Sequence, residues 1–168
     1  MSQENVEIVR RYFEAAERAF AAYWQGPRSL VDSLRAGEVG PEIADVMRYW
    51  HPNIEWKSAL IGITTTRGYE GTLHGVDQFL DAAQDYRVNV LEVTDLGDSQ
   101  VLAVVRLAMK GKASDIDVNA TIFSIVTVED GLIIRMDEYL ERAEALHAAW
   151  PVGVGDVAGE RGADLPSL

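Results

Sequence analysis

Apolar residues recur every three or four positions in the first third of the chain, which is the spacing of helices that bury one face. The pattern predicts a long helix from Ser2 to about Trp24, a short helix from Arg28 to Ala36, and a third from Pro41 to Trp50. His51-Pro52 should end the third helix, because proline disfavours helical geometry in the residue before it. The apolar stripe of the first helix consists of Val6, Val9, Phe13, Ala16, Phe20 and Tyr23.

Beyond Pro52 the apolar spacing changes to alternation, which is typical of strands. After the first of these strands, a glycine-containing loop is predicted over residues 68–71, and a short helix is predicted after Gly75. One face of the first predicted strand carries Ile54, Trp56, Ser58 and Leu60.

Three β-rich stretches follow, over Tyr86 to Asp95, Gln100 to Lys110 and Asp117 to Val128. Asp130-Gly131 should turn the chain into a last strand from Leu132 to Leu140, as in a hairpin. The connections are too short for helical crossovers, so we expect a mostly antiparallel sheet. The predicted fold class is α+β, with N-terminal helices packed on a curved meander.

Length and composition narrow the possible roles. The chain has 168 residues, and we predict a single domain over 1–150, ending in a brief helix from Glu141 to Ala149, with a mobile tail over 151–168. Fifteen basic and 27 acidic residues leave a net charge of −12, which disfavours binding to nucleic acid or to a membrane surface. Cysteine is absent, which excludes a disulfide framework and a cysteine-ligated metal site and leaves the redox compartment open. No basic segment followed by an apolar run opens the chain, and no stretch approaches eighteen uninterrupted apolar residues, so a cytoplasmic protein is expected.

Charged side chains on otherwise apolar strand rows are candidates for a site in an apolar hollow. Glu138 continues the row of Leu132, Ile134 and Met136, and Arg106 shares its row with apolar residues of another strand. An ion pair between Glu138 and Arg106 would satisfy both charges, and it could be catalytic or purely structural. The alternative for Glu138 is that the strand has ended and the carboxylate reaches water.

Three other side chains are candidates for the same hollow. Tyr12 lies one residue from the apolar stripe of the first helix, so its ring can be buried while its hydroxyl faces a cavity or the rim. Trp56 and Ser58 share the apolar row of the first strand, although both residue types are common in cores. The histidines are too scattered for a metal site, and neither a nucleotide-binding loop nor a GxSxG motif is present.

Four segments are similar to the SnoaL-like branch of the nuclear transport factor 2-like superfamily in their order and spacing. They are NVEIVRRYFEAA, YWHPNIEW, GYEGTLHGVDQFLDA and DGLIIRMDEYLERAEALHAAW. The resemblance covers roughly Asn5 to Trp150 and implies a cone-shaped sheet, strongly curved and mostly antiparallel, wrapped round N-terminal helices with a pocket inside. The segment Gln25 to Gly40 is longer than the family's usual link, and should roof the pocket or extend an interface.

The family includes ketosteroid isomerases, limonene-type epoxide hydrolases and polyketide cyclases, and the resemblance carries over only in part. In the isomerases, a tyrosine of the first helix and an aspartate donate hydrogen bonds to the oxyanion, and a second aspartate is the base. Tyr12 resembles that tyrosine, but Ser58 occupies the position of the base, and Phe123 lies near the position of the donor aspartate. Arg106 and Glu138 resemble the arginine and final acid of the hydrolases.

The hydrolase set is nevertheless incomplete, because Ala108 replaces its middle aspartate, and Trp56 and Ser58 replace its helper residues. Glu141 resembles the acid of the polyketide cyclases, with glutamate in place of aspartate. The full isomerase and hydrolase residue sets are therefore absent.

The leading hypothesis is a cofactor-free acid–base enzyme of cyclase, isomerase or hydrolase type, acting on a small hydrophobic molecule without a metal or organic cofactor. Glu138 and Arg106 would be catalytic, and Tyr12, Trp56, Ser58 and Met136 would contact the substrate. The alternative is a non-catalytic ligand-binding or scaffold protein of the same fold. The resemblance also implies a homodimer.

Overall fold

A computed structural model describes residues 2–23, 29–60 and 65–150. The predicted tail over 151–168 lies outside these residues. Within them, the helices are α1 (Ser2–Tyr23), α2 (Leu30–Ala36), α3 (Pro41–Met47), α4 (Gly68–Ala82) and α5 (Arg142–Ala149). The strands are β1 (Trp50–Lys57), β2 (Thr66–Arg67), β3 (Ala83–Gly97), β4 (Gln100–Gly111), β5 (Asp117–Glu129) and β6 (Leu132–Tyr139).

The strands form one six-stranded sheet in the order β2-β1-β6-β5-β4-β3. Only the pairing of β1 with β6 is parallel among the described strands, and the other neighbours are antiparallel. Asp130 and Gly131 both have positive φ angles, 49° and 78°, and close the β5–β6 hairpin. These findings confirm the predicted α+β class and the mostly antiparallel sheet.

Helix α1 packs against β3, β4 and α3, so the main core lies between the N-terminal helices and one face of the sheet. A second, smaller cluster lies on the opposite face of the sheet, where α5 packs against β5 and β6 and shares a cluster with residues of β4. Both faces of β4 are therefore largely buried. The second cluster is built on Leu102, Val104, Ile125 and Ala145.

The first strand begins earlier than the sequence predicts. Helix α3 ends at Met47, and β1 begins at Trp50, ahead of Pro52. The carbonyl of Tyr49 accepts a 2.7 Å hydrogen bond from the N–H of Ile133, which draws this part of the chain to β6. The register of β1 on β6 shifts between Trp50 and Glu55, so Pro52 lies in the irregular stretch and its missing N–H breaks no regular ladder.

The loop predicted over residues 68–71 is also wrong, because these residues form the first turn of α4. Gly68 enters the helix with a φ of +68°, and the helix then continues through Gly71 and Gly75. A Cβ atom at Gly75 would lie 3.3 Å from Thr66 Cγ2 and 3.4 Å from Trp56 Cζ3. Glycine at this position therefore allows α4 to pack closely against β1 and β2.

Candidate functional site

A cavity of about 100 Å³ lies between the N-terminal helices, α4 and the inner face of the sheet. This volume is several times the roughly 10–15 Å³ that one enclosed water needs, and is on the scale of one small ring. Most of the lining is apolar. The lining residues with polar side-chain groups are the tryptophans Trp50 and Trp56, the hydroxyl-bearing residues Tyr12, Ser58, Thr72, Tyr86 and Ser124, and Glu138.

A bulge in β6 places Glu138 in this cavity. Val128 pairs with Ile133, but the next residue of β5, Thr127, pairs with Arg135, so Ile134 is the extra residue of β6. The bulge turns both Ile133 and Met136 inward, where they are 0% and 4% exposed.

The predicted inward row is therefore correct for Met136 and Glu138 and wrong for its first half. Leu132 and Ile134 line a groove on the outer surface instead. The bulge shifts the side-chain alternation by one residue, which a regular two-residue period cannot anticipate.

Glu138 has few partners for a carboxylate enclosed in apolar surroundings. Its Oε2 atom accepts a 3.2 Å hydrogen bond from the N–H of Ala59. Among the described residues, no basic side chain lies within salt-bridge distance of it. Burial raises the pKa of Glu138 above its usual value of 4.5, and the nearby donors of Trp56, Ala59 and Ser58 oppose that rise only in part. The carboxyl group can therefore hold a proton more readily than an exposed glutamate.

Two tyrosines face the same space. Burial raises the pKa of the Tyr12 hydroxyl, with a smaller opposing effect from Trp50 and a further rise from the charge of Glu138. Burial also raises the pKa of Tyr86 well above 10, and the charge of Glu138 and the Tyr12 hydroxyl add to it. Both phenols stay protonated at neutral pH and are available as hydrogen-bond donors.

Two indole N–H groups in the cavity wall have no hydrogen-bond partner among the described residues. They are the Nε1 atoms of Trp50 and Trp56, and both are buried. The Trp56 N–H is close enough to Glu138 to lower the pKa of the carboxyl group, but the two do not reach hydrogen-bond geometry. In the same way, the Trp50 N–H is close enough to the Tyr12 hydroxyl to lower its pKa, but it does not reach hydrogen-bond geometry. A buried donor without a partner is unusual in native proteins and calls for an explanation.

The expected ion pair between Arg106 and Glu138 is wrong. Arg106 is exposed and lies opposite Thr121 on β5, whereas its neighbours Val105 and Leu107 line the cavity. The apolar row that Arg106 shares on β4 belongs to the outer face, where Leu102 and Val104 pack under α5. Because both faces of β4 are apolar, its alternation does not show which face meets the cavity.

A family model described as SnoaL-like domain matches residues 9–136, which is most of the chain. The chain belongs to the SnoaL-like domain family. No functionally curated protein matches it by sequence. None of the helices in the described ranges is long and apolar enough to cross a membrane.

Solved structures support the same fold for this SnoaL-like chain. A putative SnoaL-like polyketide cyclase from a Jannaschia species has a TM-score of 0.63 at 16% identity, with 88% of this chain and 92% of that chain covered. An NTF2-like protein from Burkholderia thailandensis has a TM-score of 0.60 at 18% identity, with 86% and 94% covered. TerC, co-crystallised with polyporic acid, has a TM-score of 0.56 at 15% identity, with 86% and 96% covered. At these identities the likeness shows the fold alone.

Helix α2 forms part of the roof of the SnoaL-like cavity, because Leu30 lines it. The buried carboxylate of Asp77 on α4 holds this helix: it accepts hydrogen bonds from Leu30 N at 2.9 Å, Val31 N at 3.2 Å and Ser29 Oγ at 2.6 Å. Tyr23 donates a fourth at 3.3 Å, and its pKa is raised to about 12 by burial and by Asp77. The described part of the long segment therefore roofs the cavity, while residues 25–28 lie outside the described ranges.

The cavity brings together five of the six residues singled out from the sequence, namely Tyr12, Trp56, Ser58, Met136 and Glu138. Sequence reasoning missed Trp50, Tyr86 and Ser124. The alternation around Ser124 could have revealed it, because it stands between inward-facing Ile122 and Val126. Trp50 was assigned to a helix, and Tyr86 lay at the end of a predicted strand that begins three residues earlier in the structure.

Proposed function

We propose that this SnoaL-like protein is a cofactor-independent acid–base enzyme acting on a small, mainly hydrophobic molecule. One observation carries the proposal: the Glu138 carboxyl group lies in an apolar cavity with a raised pKa and, among the described residues, without a basic partner. Catalytic acids and bases are commonly tuned toward neutral pH in this way. Arg106 has no part in the proposed mechanism, because it lies on the outer face of the sheet.

The chemistry that fits this arrangement is proton transfer next to a carbonyl group. The ionised Glu138 carboxylate would remove a proton from the carbon beside the carbonyl, and the C–H electron pair would form the carbon–carbon double bond of an enolate as the carbonyl electrons move onto oxygen. The Tyr12 hydroxyl would donate a hydrogen bond to that oxygen. For isomerisation, Glu138 would return the proton to a different carbon of a conjugated enolate as the carbonyl reforms. For cyclisation, the enolate carbon would instead form a bond to a second carbonyl carbon of the same substrate, and the electrons displaced onto that carbonyl oxygen would take the proton from Glu138.

The size and lining of the cavity narrow the substrate. About 100 Å³ admits a compact ring, and the walls of Phe13, Val105, Leu107 and Met136 favour an apolar body. TerC was co-crystallised with polyporic acid, and another protein of this fold is named a putative SnoaL-like polyketide cyclase, which supports a small organic molecule as the ligand class.

Deuterium exchange tests the proposal without knowledge of the natural substrate. Cyclopentanone, cyclohexanone and cyclohexenone are incubated with the full-length protein in deuterated buffer, and loss of the protons beside the carbonyl is followed by NMR. We expect exchange above the buffer rate for at least one ketone. In E138Q, exchange should fall by about 100-fold or more, the usual contribution of a positioned acid–base group.

R106Q is the matched control, because it removes a charge from the outer face of the same sheet and should leave exchange within twofold of the wild type. Exchange that survives in E138Q would contradict the proposal. A ketone that raises the melting temperature yet exchanges only at the buffer rate would instead support the alternative, a non-catalytic ligand-binding protein of the same fold. Homodimerisation and a cytoplasmic location stay predictions, and light scattering at micromolar concentration tests the first.

A further inference from the structure

The Trp50 and Trp56 side chains share an arrangement that the acid–base proposal does not use. Both belong to β1, both line the cavity, and both bury an indole N–H that has no hydrogen-bond partner among the described residues. Trp50 is only 3% exposed, so solvent does not reach its ring. Native proteins rarely leave a buried donor unpaired, and two such donors in one wall are a substantial cost for a small domain.

The surroundings hold these rings in place. The Tyr12 ring lies against Trp50 with 6.4 Å between the ring centroids. The backbone of α4 at Gly75 lies against Trp56, since a methyl group at Gly75 would lie 3.4 Å from the indole. Thr66 on β2 pairs with Trp56 on β1 and donates a 3.3 Å hydrogen bond to its carbonyl. Trp50 is buried and Trp56 is partly buried, and both line the cavity with their indole N–H groups shielded from solvent.

We infer that Trp50 and Trp56 are ligand-binding residues whose indole N–H groups select ring compounds that carry acceptor oxygens. The inference rests on the proposed function because it concerns the same cavity. It adds the chemistry of the ligand and two residues that would recognise that chemistry. An indole nitrogen can only donate, so the complementary group is an acceptor such as a carbonyl oxygen. The ligand is a compact apolar ring with carbonyl oxygens at its edge.

The two indole donors also explain why an apolar ring alone would be a poor ligand. A hydrocarbon of the same shape would fill the cavity but leave both N–H groups unpaired. A ketone would pair at least one of them. Sites with dedicated donors discriminate against ligands that lack the matching acceptor, because the site's own polar groups are then stranded.

A pair of matched probes tests this directly. Cyclohexanone and methylenecyclohexane have nearly the same shape, but only the ketone has an acceptor oxygen. The full chain, labelled with ¹⁵N, is titrated with each probe while the four indole N–H signals are followed by NMR, and the signals of Trp50 and Trp56 are assigned from W50F and W56F. We expect the ketone, but not the hydrocarbon, to move at least one of these two indole protons downfield.

Affinity gives the second readout. The wild type should prefer the ketone, and the corresponding tryptophan-to-phenylalanine variant should lose about two- to tenfold of that preference, the value of one neutral hydrogen bond. Equal responses to both probes, or a preference kept in both phenylalanine variants, would overturn the inference. So would a Trp56 indole proton that is already hydrogen-bonded in the free protein and follows only the titration of Glu138.

The same titration in E138Q separates this inference from the proposed function. Indole signals that respond to the ketone in E138Q support donor selection even if no proton exchange occurs. If the wild type exchanges the protons of the ketone but the indole signals of Trp50 and Trp56 do not shift, the result would support catalysis by Glu138 and reject the role of the tryptophans.

Discussion

Ser124 on β5 and Glu138 on β6 are direct cross-strand partners, so their side chains emerge side by side on the face of the sheet that lines the cavity. Ser124 is 1% exposed and brings a hydroxyl group next to the carboxyl. This relationship ties the position of the cavity acid to the register of the β5–β6 hairpin. The bulge at Ile134 shifts the alternation of β6 by one residue, so that Met136 and Glu138 turn toward the inner face.

Replacing Glu138 with glutamine should stabilise the protein in a pH-dependent way. Because the folded-state pKa is raised, the folded state binds more protons than the unfolded state above the usual carboxyl pKa of 4.5. The wild type therefore loses stability as the pH rises from 4.5 through the raised pKa. Glutamine lacks this loss, so E138Q should be more stable at pH 8 by about 1–3 kcal/mol, the usual cost of a poorly partnered buried polar group.

Urea unfolding at several pH values checks this. The difference between E138Q and the wild type should shrink toward zero at pH values below 4.5, where Glu138 is protonated in both states. A difference that stays constant with pH would show that the substitution acts through packing and not through the charge.

Two glycines of α4 should respond differently to alanine. A Cβ at Gly71 would have only Thr66 Cβ near it, at 4.0 Å. The higher helix propensity of alanine should therefore raise the free energy of unfolding of G71A by about 0.5–1 kcal/mol. G75A places its Cβ 3.3 Å from Thr66 Cγ2 and 3.4 Å from Trp56 Cζ3, and this crowding should cancel most of the gain.

Thermal melts of G71A, G75A and the larger G75L measure the contrast. G75L should lose about 1–3 kcal/mol by overpacking. Equal stabilisation by G71A and G75A would mean that α4 does not press on Trp56 as closely as described.

Asp77 should be essential to the roof of the cavity. D77A would strand the N–H groups of Leu30 and Val31, and we expect a loss of about 2–4 kcal/mol. D77N keeps an acceptor oxygen and should lose less. Hydrogen exchange at these two amides, compared with that in D81N on an exposed position of the same helix, reports whether α2 is released. Amide protection that persists in D77A would argue that packing alone holds α2.

Helix α5, the last described helix, should loosen in acid. Arg142 binds the carboxylate of Glu92 with two 2.8 Å hydrogen bonds, and this holds the pKa of Glu92 at about 2. A depressed pKa means that the pair stabilises the fold above the usual value of 4.5 and that this stabilisation is lost as the pH falls toward 2. The effect should be small and sensitive to salt, because both side chains are largely exposed.

A double-mutant cycle of E92Q and R142Q tests the pair. The coupling should be measurable at pH 7 in low salt and should weaken at pH 3 and in high salt. A coupling energy that changes with neither pH nor salt concentration would show that side-chain packing, and not charge, links Glu92 and Arg142.

Local patterns were sufficient to predict the fold and part of the cavity. Alternation along β1 and into the residue after it placed Trp56 and Ser58 on the inner face, and the stripe of α1 left Tyr12 facing the cavity. These assignments succeed because one face of each element is buried and the other is polar.

The failures come from features that depend on distant parts of the chain. Arg106 was assigned to the cavity because β4 is apolar on both faces, and only pairing with β3 and β5 decides which face turns inward. The start of β1 at Trp50 depends on its parallel contact with β6, which joins segments about 80 residues apart. The bulge at Ile134 depends on how β6 pairs with β5. No local period encodes such contacts.

The most direct test of the account is the titration of the Glu138 carboxyl group itself. The full-length protein is labelled with glutamate carrying ¹³C at the side-chain carboxyl, and the signal of Glu138 is identified by its absence from E138Q. The account predicts a midpoint clearly above 4.5, the usual value for glutamate, because the carboxyl is buried in an apolar cavity without a basic partner among the described residues. A midpoint at or below 4.5 would contradict it.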